Sequence, residues 1–421
     1  MRRVSLAGLA LLGALVLAIP AAFARSDAGA QSAPGVTART ITIGGTFPLT
    51  GGASSYAPIA QSMKAYFSYI NARRGPDGKR GVYGRQIVFK VYDDGYNPAN
   101  TVQLTRKLVQ EDKVFAVVGS LGTEPVEAAR PYLNSVRVPQ VLVSTGASQF
   151  GLAYKQYPWT IGWQPDYIAE ARLYGLDISR NKPNAKIAIL YQNDSYGRDY
   201  VNGFKSALGT AKVRSQVVAE QAFDALGGGT PQSQLVRLRA SGANTLMIFV
   251  TPTPTVQSYA IIRALGWKPD IYVNSVSATD AFMGAAVRAS NAETVNGSIS
   301  AAYLKDPANP RWDNDATVRQ YKTLMAKYNP SGRVTDGLNL YGFAKAHTFV
   351  RALYKAGRNP TRASLMRALL SFNETSPYAL PGIRLKTGPT DHFLISQQQM
   401  QIYNNGTWRL TGRLVDGRPR G

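Results

Sequence analysis

The chain has 421 residues, of which 44% are hydrophobic and 17% are charged, a composition typical of a globular protein rather than a disordered one. Its formal net charge is +23, but the basic residues are scattered over different predicted elements, so we interpret the charge as a solvated basic surface and expect no nucleic-acid partner. The absence of cysteine excludes disulfides, thiolate metal sites and a cysteine nucleophile.

The N-terminal residues predict export. Arg2-Arg3 is a basic start, residues 6–19 are apolar, and Ala22-Phe23-Ala24 has the small-residue pattern of a cleavage site. The apolar run is shorter than the about 20 residues that a membrane-spanning helix needs. We therefore expect a signal peptide over residues 1–24, a disordered leader over 25–40, and a mature protein that is periplasmic or secreted. A retained anchor is the alternative, and the export route, general or twin-arginine, stays open.

Strand and helix patterns alternate in the first part of the chain. Strands are predicted over residues 41–46, 86–92, 114–118 and 139–143, and helices over 59–71, 99–112 and 125–136. The run 114–118 is continuously apolar, as expected for a parallel strand that is buried on both faces. Small, hydroxyl-bearing loops follow two of the strands, over residues 119–123 and 144–148. Because ligands of open α/β sheets lie beyond the carboxyl ends of strands, these loops predict a binding edge.

A second series of strands and helices begins near Trp159. Its strands are predicted over residues 186–191, 217–223, 245–250 and 271–273, and they are followed by helices over 314–327, 338–356 and 362–370 and by strands over 383–390, 391–395 and 400–403. Two βα series that each end in polar loops favour an α/β fold. We expect two lobes whose strand ends face a shared ligand cleft.

Several short motifs occur in a fixed order along residues 41–412. They are Ile43-Gly44, Pro48-Leu49-Thr50-Gly51, Asp93-Asp94-Gly95, Asn97-Pro98, Val114-Phe115-Ala116-Val117-Val118-Gly119, Ser195-Tyr196-Gly197 and Leu380-Pro381-Gly382. In this order they make the chain resemble the type I periplasmic binding proteins, in the branched-chain amino acid (Leu/Ile/Val) group of ABC-transporter substrate-binding proteins.

The resemblance implies a fold and its boundaries. Type I binding proteins have two Rossmann-like lobes that are joined by a three-segment hinge and close on the ligand in the cleft between them. The crossovers are expected near Tyr157, Gly297 and Ser376. Lobe 1 would then comprise residues 41–157 and 298–375, and lobe 2 residues 158–297 and 376–421.

The resemblance also implies that hydroxyls and backbone N–H groups of the first lobe hold a ligand carboxylate. The matching positions are Thr123 in the first loop and Gly146, Ala147 and Ser148 in the second. Thr123 also precedes a predicted helix, where it would serve as the N-cap and where the exposed N–H groups favour an anion; capping alone is the alternative.

Further positions are expected to complete the cleft. Tyr196 matches the second-lobe aromatic residue that covers the ligand, with core packing as the alternative. Thr251 or Thr253 matches a further second-lobe contact. Tyr56 and Trp163 are cleft candidates that could stack on a flat or apolar ligand.

One position departs from the family pattern. Amino-acid binders place an acid after the strand that is here predicted over residues 271–273, where it pairs with the ligand ammonium, but this chain has Ser275. A buried ammonium without a carboxylate partner is costly. Either Glu124, Asp166 or Asp280 supplies the acid, or the ligand has no α-amino group. Asp166 is alternatively a helix cap.

The leading functional hypothesis is a transport receptor that captures a small ligand, by resemblance a branched-chain or related amino acid, and delivers it to an ABC permease in the inner membrane. Another small carboxylate, an aromatic acid or an amide is the alternative ligand, and a ligand-sensing module is the alternative role. His347 and His392 belong to predicted regular elements, and no catalytic motif is complete. We therefore expect no enzymatic activity, no cofactor and no metal, and a monomer.

Overall fold

The computed structural model describes residues 33–225 and 227–417. The predicted signal peptide lies outside these ranges. Within the predicted disordered leader, Val36 is buried and forms a β-bridge with Ile41, and Thr40 opens the first strand. The expectation of disorder is therefore wrong for residues 33–40, because an apolar side chain in this short segment finds a place in the core.

The described residues contain fourteen strands and fourteen α-helices. The strands are β1 (Thr40–Phe47), β2 (Gln86–Asp93), β3 (Val117–Val118), β4 (Gln140–Val143), β5 (Thr160–Gly162), β6 (Ile187–Gln192), β7 (Val217–Phe223), β8 (Thr245–Phe249), β9 (Asp270–Val273), β10 (Ile299–Ala302), β11 (Asn373–Thr375), β12 (Arg384–Lys386), β13 (Gln397–Asn404) and β14 (Thr407–Asp416). The helices are α1 (Pro58–Ala72), α2 (Pro98–Gln110), α3 (Thr123–Ser135), α4 (Gln149–Leu152), α5 (Tyr167–Asn181), α6 (Ser195–Leu208), α7 (Thr210–Gln216), α8 (Gln232–Ala240), α9 (Pro252–Ala264), α10 (Asp280–Ala289), α11 (Ala292–Val295), α12 (Ala316–Tyr328), α13 (Gly337–Ala356) and α14 (Arg362–Leu369).

The first sheet has five parallel strands in the order β2-β1-β3-β4-β5. Strands β3 and β4 are buried at every position, as the continuously apolar run 114–118 predicts for β3. The loops after them lie side by side, since Leu121 and Ser144 form a parallel bridge. The sheet therefore brings together the two polar loops that the sequence marks as a binding edge.

The second sheet has seven strands in the order β14-β13-β10-β9-β8-β6-β7. Its strands from β6 to β10 are parallel, and the antiparallel hairpin β13-β14 adds to β10. The β-rich tail is thus confirmed, but residues 391–395 form no strand. Phe393 makes only an isolated bridge with Gly162, because this segment runs past the end of the first sheet instead of pairing along it.

One parallel and one mostly parallel α/β sheet confirm the predicted fold class, and the chain passes between them three times: after β5, after β10 and before β13. These passages differ from the expected lobe limits by a few residues. Strand β5 continues the first sheet beyond residue 157, and β10 continues the second sheet beyond residue 297. Both strands have only three or four residues, too few for a periodic pattern in the sequence.

Helix α13 packs along α1, and most of its side chains are buried, among them Leu340, Phe343 and Phe349. In the part of the chain that the structure describes, no helix is both long enough and apolar enough to cross a membrane.

Candidate ligand-binding site

A cavity of about 140 Å³ lies where strand ends of the two sheets meet. From the first sheet, Thr123 and Ser144 follow β3 and β4. From the second, Thr251 and Ser275 follow β8 and β9. Loops from the carboxyl ends of both sets of parallel strands therefore line one cavity, at the position where α/β sheets bind ligands.

The walls of this cavity are rich in tyrosine. The aromatic lining residues are Tyr56, Tyr96, Tyr167, Tyr196, Tyr303, Tyr341 and Trp408. Tyr167 holds part of this wall together, since its ring meets Tyr196 edge-on and stacks on Tyr200, with both centroids 4.8 Å away. The Tyr196 hydroxyl is buried and has no hydrogen-bond partner among the described residues, and burial raises its pKa, so it stays neutral. A mainly apolar wall with a few buried polar atoms suits a small organic ligand.

Five of the residues predicted from the sequence line this cavity: Tyr56, Thr123, Tyr196, Thr251 and Ser275. Thr253, the alternative to Thr251, does not line the cavity. Its exposed hydroxyl donates a hydrogen bond to Gly52 O at 3.1 Å.

Four predicted residues do not line the cavity. The backbone of Gly146 packs against Tyr167, and Ala147 is fully buried in the apolar cluster below. Ser148 donates hydrogen bonds from its N–H and its hydroxyl to the Asp199 carboxylate, at 2.7 and 3.1 Å. Trp163 is fully buried, and its indole N–H donates to Thr348 Oγ1 at 3.1 Å. The loop after β4 therefore presents Ser144 to the cavity, while its later residues turn toward α4, α5 and α6.

Thr123 lies at the cavity, but it is not the helix cap. Gly122 is the N-cap of α3, with a φ of +103° that favours glycine, and Thr123 is the first helical residue. The Thr123 hydroxyl instead shares a hydrogen bond of 2.7 Å with the Thr145 hydroxyl across the two loops. The N-terminal end of α3 thus faces the cavity with a hydroxyl pair beside it.

A buried acid from another element lies directly behind Ser275. Glu170, on α5, is 1% exposed and accepts hydrogen bonds from Ser275 N at 2.7 Å, Ser275 Oγ at 2.5 Å and Tyr174 OH at 2.7 Å. Burial raises the pKa of this carboxyl, which the three donors counteract. Sequence reasoning missed Glu170, although a charged residue on the otherwise buried stripe Tyr167, Ala171, Tyr174 is the pattern that could have revealed it.

Of the three acids considered as substitutes, only Asp280 is among the lining residues. Asp166 caps α5, as its alternative interpretation held, by accepting from Ala169 N at 2.8 Å. Asp306, which was not predicted, lines the cavity beside Asp280, and burial raises its pKa to about 6. Burial also raises the pKa of Asp280, against the opposite effect of Arg333.

A buried lysine stands behind the first-sheet side of the cavity. Lys345, on α13, is fully buried, and its Nζ donates to Ser144 Oγ and, at 2.9 Å, to Tyr341 OH. It also lies 4.2 Å from the centroid of the Tyr341 ring and 5.3 Å from that of Trp163. Burial lowers its pKa well below the ordinary value. The sequence shows only a lysine inside a helix, so its burial was not predicted.

The burial of Asp199, which outweighs its hydrogen bonds from Ser148, predicts a pH-dependent stability. Burial raises the pKa of Asp199 from 3.8 to about 6, so the folded protein retains a proton there that the unfolded chain releases. This contribution to stability is present below pH 3.8 and is lost as the pH rises through about 6. In Asp199→Asn we expect the free energy of unfolding, measured by denaturant titration, to fall less across this window. Asp306→Asn should reduce the fall in the same way. If the free energy of unfolding falls with pH as steeply in both variants as in the wild type, these two aspartates are not the groups responsible.

Comparison with known proteins defines the class to which this fold and cavity belong. The chain belongs to the periplasmic binding protein family, whose model matches residues 40–405. It is 23% identical over 296 residues to an amino acid binding protein of Pseudomonas aeruginosa, an alignment that covers 68% of this chain and 72% of that protein.

Solved structures share the fold over nearly the whole chain. A branched chain amino acid ABC transporter protein from Thermus thermophilus with bound valine aligns with a TM-score of 0.76 and 18% identity, covering 90% of this chain and 96% of its own. A possible leucine/isoleucine/valine-binding protein from Rhodopirellula baltica aligns at 0.72 and 20%, covering 91% and 98%. A fatty acid ABC transporter substrate-binding protein from Thermomonospora curvata aligns at 0.74 and 19%, covering 92% and 95%. The resemblance to type I periplasmic binding proteins is thereby confirmed.

Proposed function

We propose that this protein is an extracytoplasmic solute-binding protein that captures a small ligand and delivers it to an ABC importer. The observation that carries the proposal is the tyrosine-walled cavity, to which strand-end loops of both sheets contribute. Two α/β halves connected by three passages can open and close around such a cavity by rotation about the connections. Membership of the periplasmic binding protein family supports this function.

A branched-chain or related amino acid is the ligand class that we favour. The similarity to an amino acid binding protein and the shared fold with a valine-bound structure support it. Another small carboxylate, an aromatic acid or an amide is the second class, which the tyrosine-rich walls would also accommodate.

The partner that follows from this function is a membrane permease, with the protein acting as a monomer that binds without turnover. Its two histidines have structural roles: His347 Nδ1 pairs with Tyr66 OH, and His392 Nδ1 pairs with Thr160 O, each at 2.8 Å. Burial lowers the pKa of His347 to about 4, so this ring is neutral at physiological pH. Neither histidine is placed to exchange protons with a ligand in the cavity.

Native mass spectrometry of the purified mature protein, followed by a thermal-shift screen over amino acids, amides and aromatic acids, tests the function. We expect one chemical class to co-purify or to raise the melting temperature, and deletion of the gene to abolish uptake of that class by the host. Unchanged uptake, together with no stabilisation by any of these classes, would contradict a transport role.

Export predicts the N-terminus of the mature chain. If the Ala22-Phe23-Ala24 site is cleaved, the intact mass of the exported protein should correspond to a chain that begins near Arg25. The same measurement on a variant with Ala22 and Ala24 replaced by bulky residues should show the uncleaved chain. Recovery of full-length wild-type chain from the membrane fraction would contradict the prediction.

A further inference from the structure

Three residues of the cavity wall have buried polar atoms that no described residue pairs with. The atoms are Thr279 Oγ1, Asp306 Oδ2 and Trp408 Nε1, and all three residues line the cavity. Buried polar atoms in folded proteins are nearly all hydrogen-bonded, because an unmade bond costs the desolvation of the group. We call the part of the cavity formed by Thr279, Asp306 and Trp408 the Asp306 end. Three unpaired atoms there point to a ligand group that pairs with them.

Contacts within the second half of the chain hold the Asp306 end together. The Asn309 N–H donates to Asp306 O at 3.1 Å, and its side-chain amide donates to Trp408 O at 2.6 Å. The Tyr403 ring packs edge-on against Trp408, with centroids 5.2 Å apart. Burial raises the pKa of Tyr403, and the nearby charges of Asp280 and Asp306 raise it further. Trp408, Asp306 and the start of α10 therefore surround one region of the cavity.

The hydroxyl of Thr279 is not used where a helix would ordinarily use it. Thr279 is the N-cap residue of α10, and its carbonyl accepts from Phe282 N and Met283 N at 2.9 and 3.0 Å. A threonine at this position commonly accepts a further bond on its side chain from an N–H of the first turn, but among the described residues its hydroxyl makes no such bond. Since a hydroxyl can donate and accept, it can pair with either kind of ligand atom.

Trp408 and Asp306 need opposite kinds of partner. The Trp408 side chain is 4% exposed, and its indole N–H can only donate. One oxygen of Asp306 accepts from Ala308 N at 3.0 Å, which leaves Oδ2 as an acceptor when the carboxyl is ionised. The indole N–H and Oδ2 do not bond to each other. The Asp306 end therefore suits a ligand group that carries an acceptor and a donor side by side.

An anionic ligand group fits this end poorly. The carboxyl groups of Asp280 and Asp306 both line the cavity here, and they would repel it. Lys305 also lines the cavity, but its Nζ is already paired with Asp315 at 2.7 Å. A ligand carboxylate would therefore meet two acids and a base that is already neutralised.

A cationic group fits only part of the Asp306 end. Burial raises the pKa values of Asp280 and Asp306, whereas Arg333 lowers that of Asp280 and Lys322 lowers that of Asp306. Basic side chains of the protein thus already compensate part of the two negative charges. A ligand cation has no acceptor for the Trp408 N–H, which would stay unpaired. A neutral group that both donates and accepts satisfies more of the unpaired atoms.

We propose that the Asp306 end is a subsite for a carboxamide group of the ligand. Its oxygen accepts from Trp408, and its N–H groups donate to Asp306 and Thr279. The inference rests on the proposed solute-binding function and narrows the ligand class to molecules with a terminal amide. An aliphatic side chain would leave all three protein atoms unpaired, and a site built to hydrogen-bond a polar group discriminates strongly against the analogue that lacks it.

The test uses ligands that differ at one end. Asparagine and glutamine are compared with their apolar isosteres leucine and homoleucine, with aspartate and glutamate, and with 2,4-diaminobutyrate and ornithine. Succinamate, 4-methylpentanoate and succinate repeat the comparison without an amino group. Affinity by calorimetry and melting temperature are measured at constant ionic strength for the mature wild-type protein, Thr279→Val and Trp408→Phe. Trp267→Phe is the matched control, because its indole N–H is bonded to Ala243 O at 3.0 Å outside the cavity.

We expect at least one carboxamide to bind about tenfold or more tightly than its apolar isostere, and more tightly than its charged analogues. In Thr279→Val and in Trp408→Phe the preference for the amide over the apolar isostere should fall by about three- to tenfold, the worth of one neutral hydrogen bond. In Trp267→Phe this preference should stay at the wild-type value. An equal loss of affinity for amide and isostere in the two cavity variants would indicate a structural role and overturn the inference.

Stability without ligand gives a second readout. Thr279→Val removes a buried hydroxyl that has no partner among the described residues, so its melting temperature should be at or above that of the wild type. Thr255→Val is the control, since the buried Thr255 hydroxyl donates to Val250 O at 3.0 Å and its loss should lower the melting temperature. Equal destabilisation of both variants would assign the Thr279 hydroxyl a structural partner and contradict the subsite. Tighter binding of an apolar or charged analogue than of every carboxamide would also overturn it, while leaving the solute-binding function standing.

Discussion

Replacing Trp163 by alanine is expected to lower the free energy of unfolding by about 3–5 kcal/mol. The Trp163 side chain is fully buried, its N–H is bonded to Thr348, and its ring meets Tyr341 edge-on with centroids 4.9 Å apart. Alanine would leave a cavity in a region that close packing prevents from collapsing. Denaturant titration followed by circular dichroism measures the loss.

Trp163→Phe is the matched control. It keeps most of the ring and loses the hydrogen bond to Thr348, so we expect a smaller loss of about 1 kcal/mol. The sequence hypothesis makes a different prediction, because a tryptophan that stacks on the ligand would lose affinity on truncation while stability stayed near that of the wild type. If Trp163→Ala unfolds at the same denaturant midpoint as the wild type, the assignment of Trp163 to the core is wrong.

Gly197→Ala is expected to destabilise the protein by about 2–3 kcal/mol and to weaken ligand binding. A Cβ atom at this position would lie 2.0 Å from Gln192 O and 2.6 Å from Gln192 N, both backbone atoms at the end of β6. The strand end or the first turn of α6 would have to move. Tyr196, the preceding residue, would move with that turn and leave its place in the cavity wall.

Gly229→Ala is the control for this substitution, since a Cβ atom there has no neighbour within 4 Å. We expect its stability to stay within about 0.5 kcal/mol of the wild type, as for most surface changes. Thermal unfolding and the ligand-induced shift in melting temperature are measured for both variants. Equal stability of the two would show that the close approach of α6 to β6 is not required.

The motif Ser195-Tyr196-Gly197 therefore combines a packing requirement with a place in the cavity wall. Asp194 caps α6 by accepting from Gly197 N at 3.0 Å, and this bond requires the helix start to lie close to the strand end. The same geometry directs the Tyr196 ring into the cavity wall. A local sequence pattern thus positions a cavity-lining residue through contacts between residues that are close in the chain.

Elements with long periodic patterns were predictable from the sequence. Strands β1, β2 and β7 and helix α13 lie within one or two residues of their predicted ranges, because seven or more residues carry a clear alternation or helical stripe. Strand β5, in contrast, has three residues and is held by its pairing with β4. Its existence depends on the neighbouring strand rather than on its own residues.

The sequence by itself determined the α/β alternation, the two polar loops at the strand ends and the family, because each of these depends on residues that are close in the chain. Tertiary structure alone decided which loop residues face the cavity. Ser148 is directed away by Asp199, 51 residues later, Glu170 stands behind Ser275 across 105 residues, and Lys345 reaches Ser144 across 201. Periodic patterns record whether a residue is buried, but the partner that it meets depends on how distant elements pack along the chain.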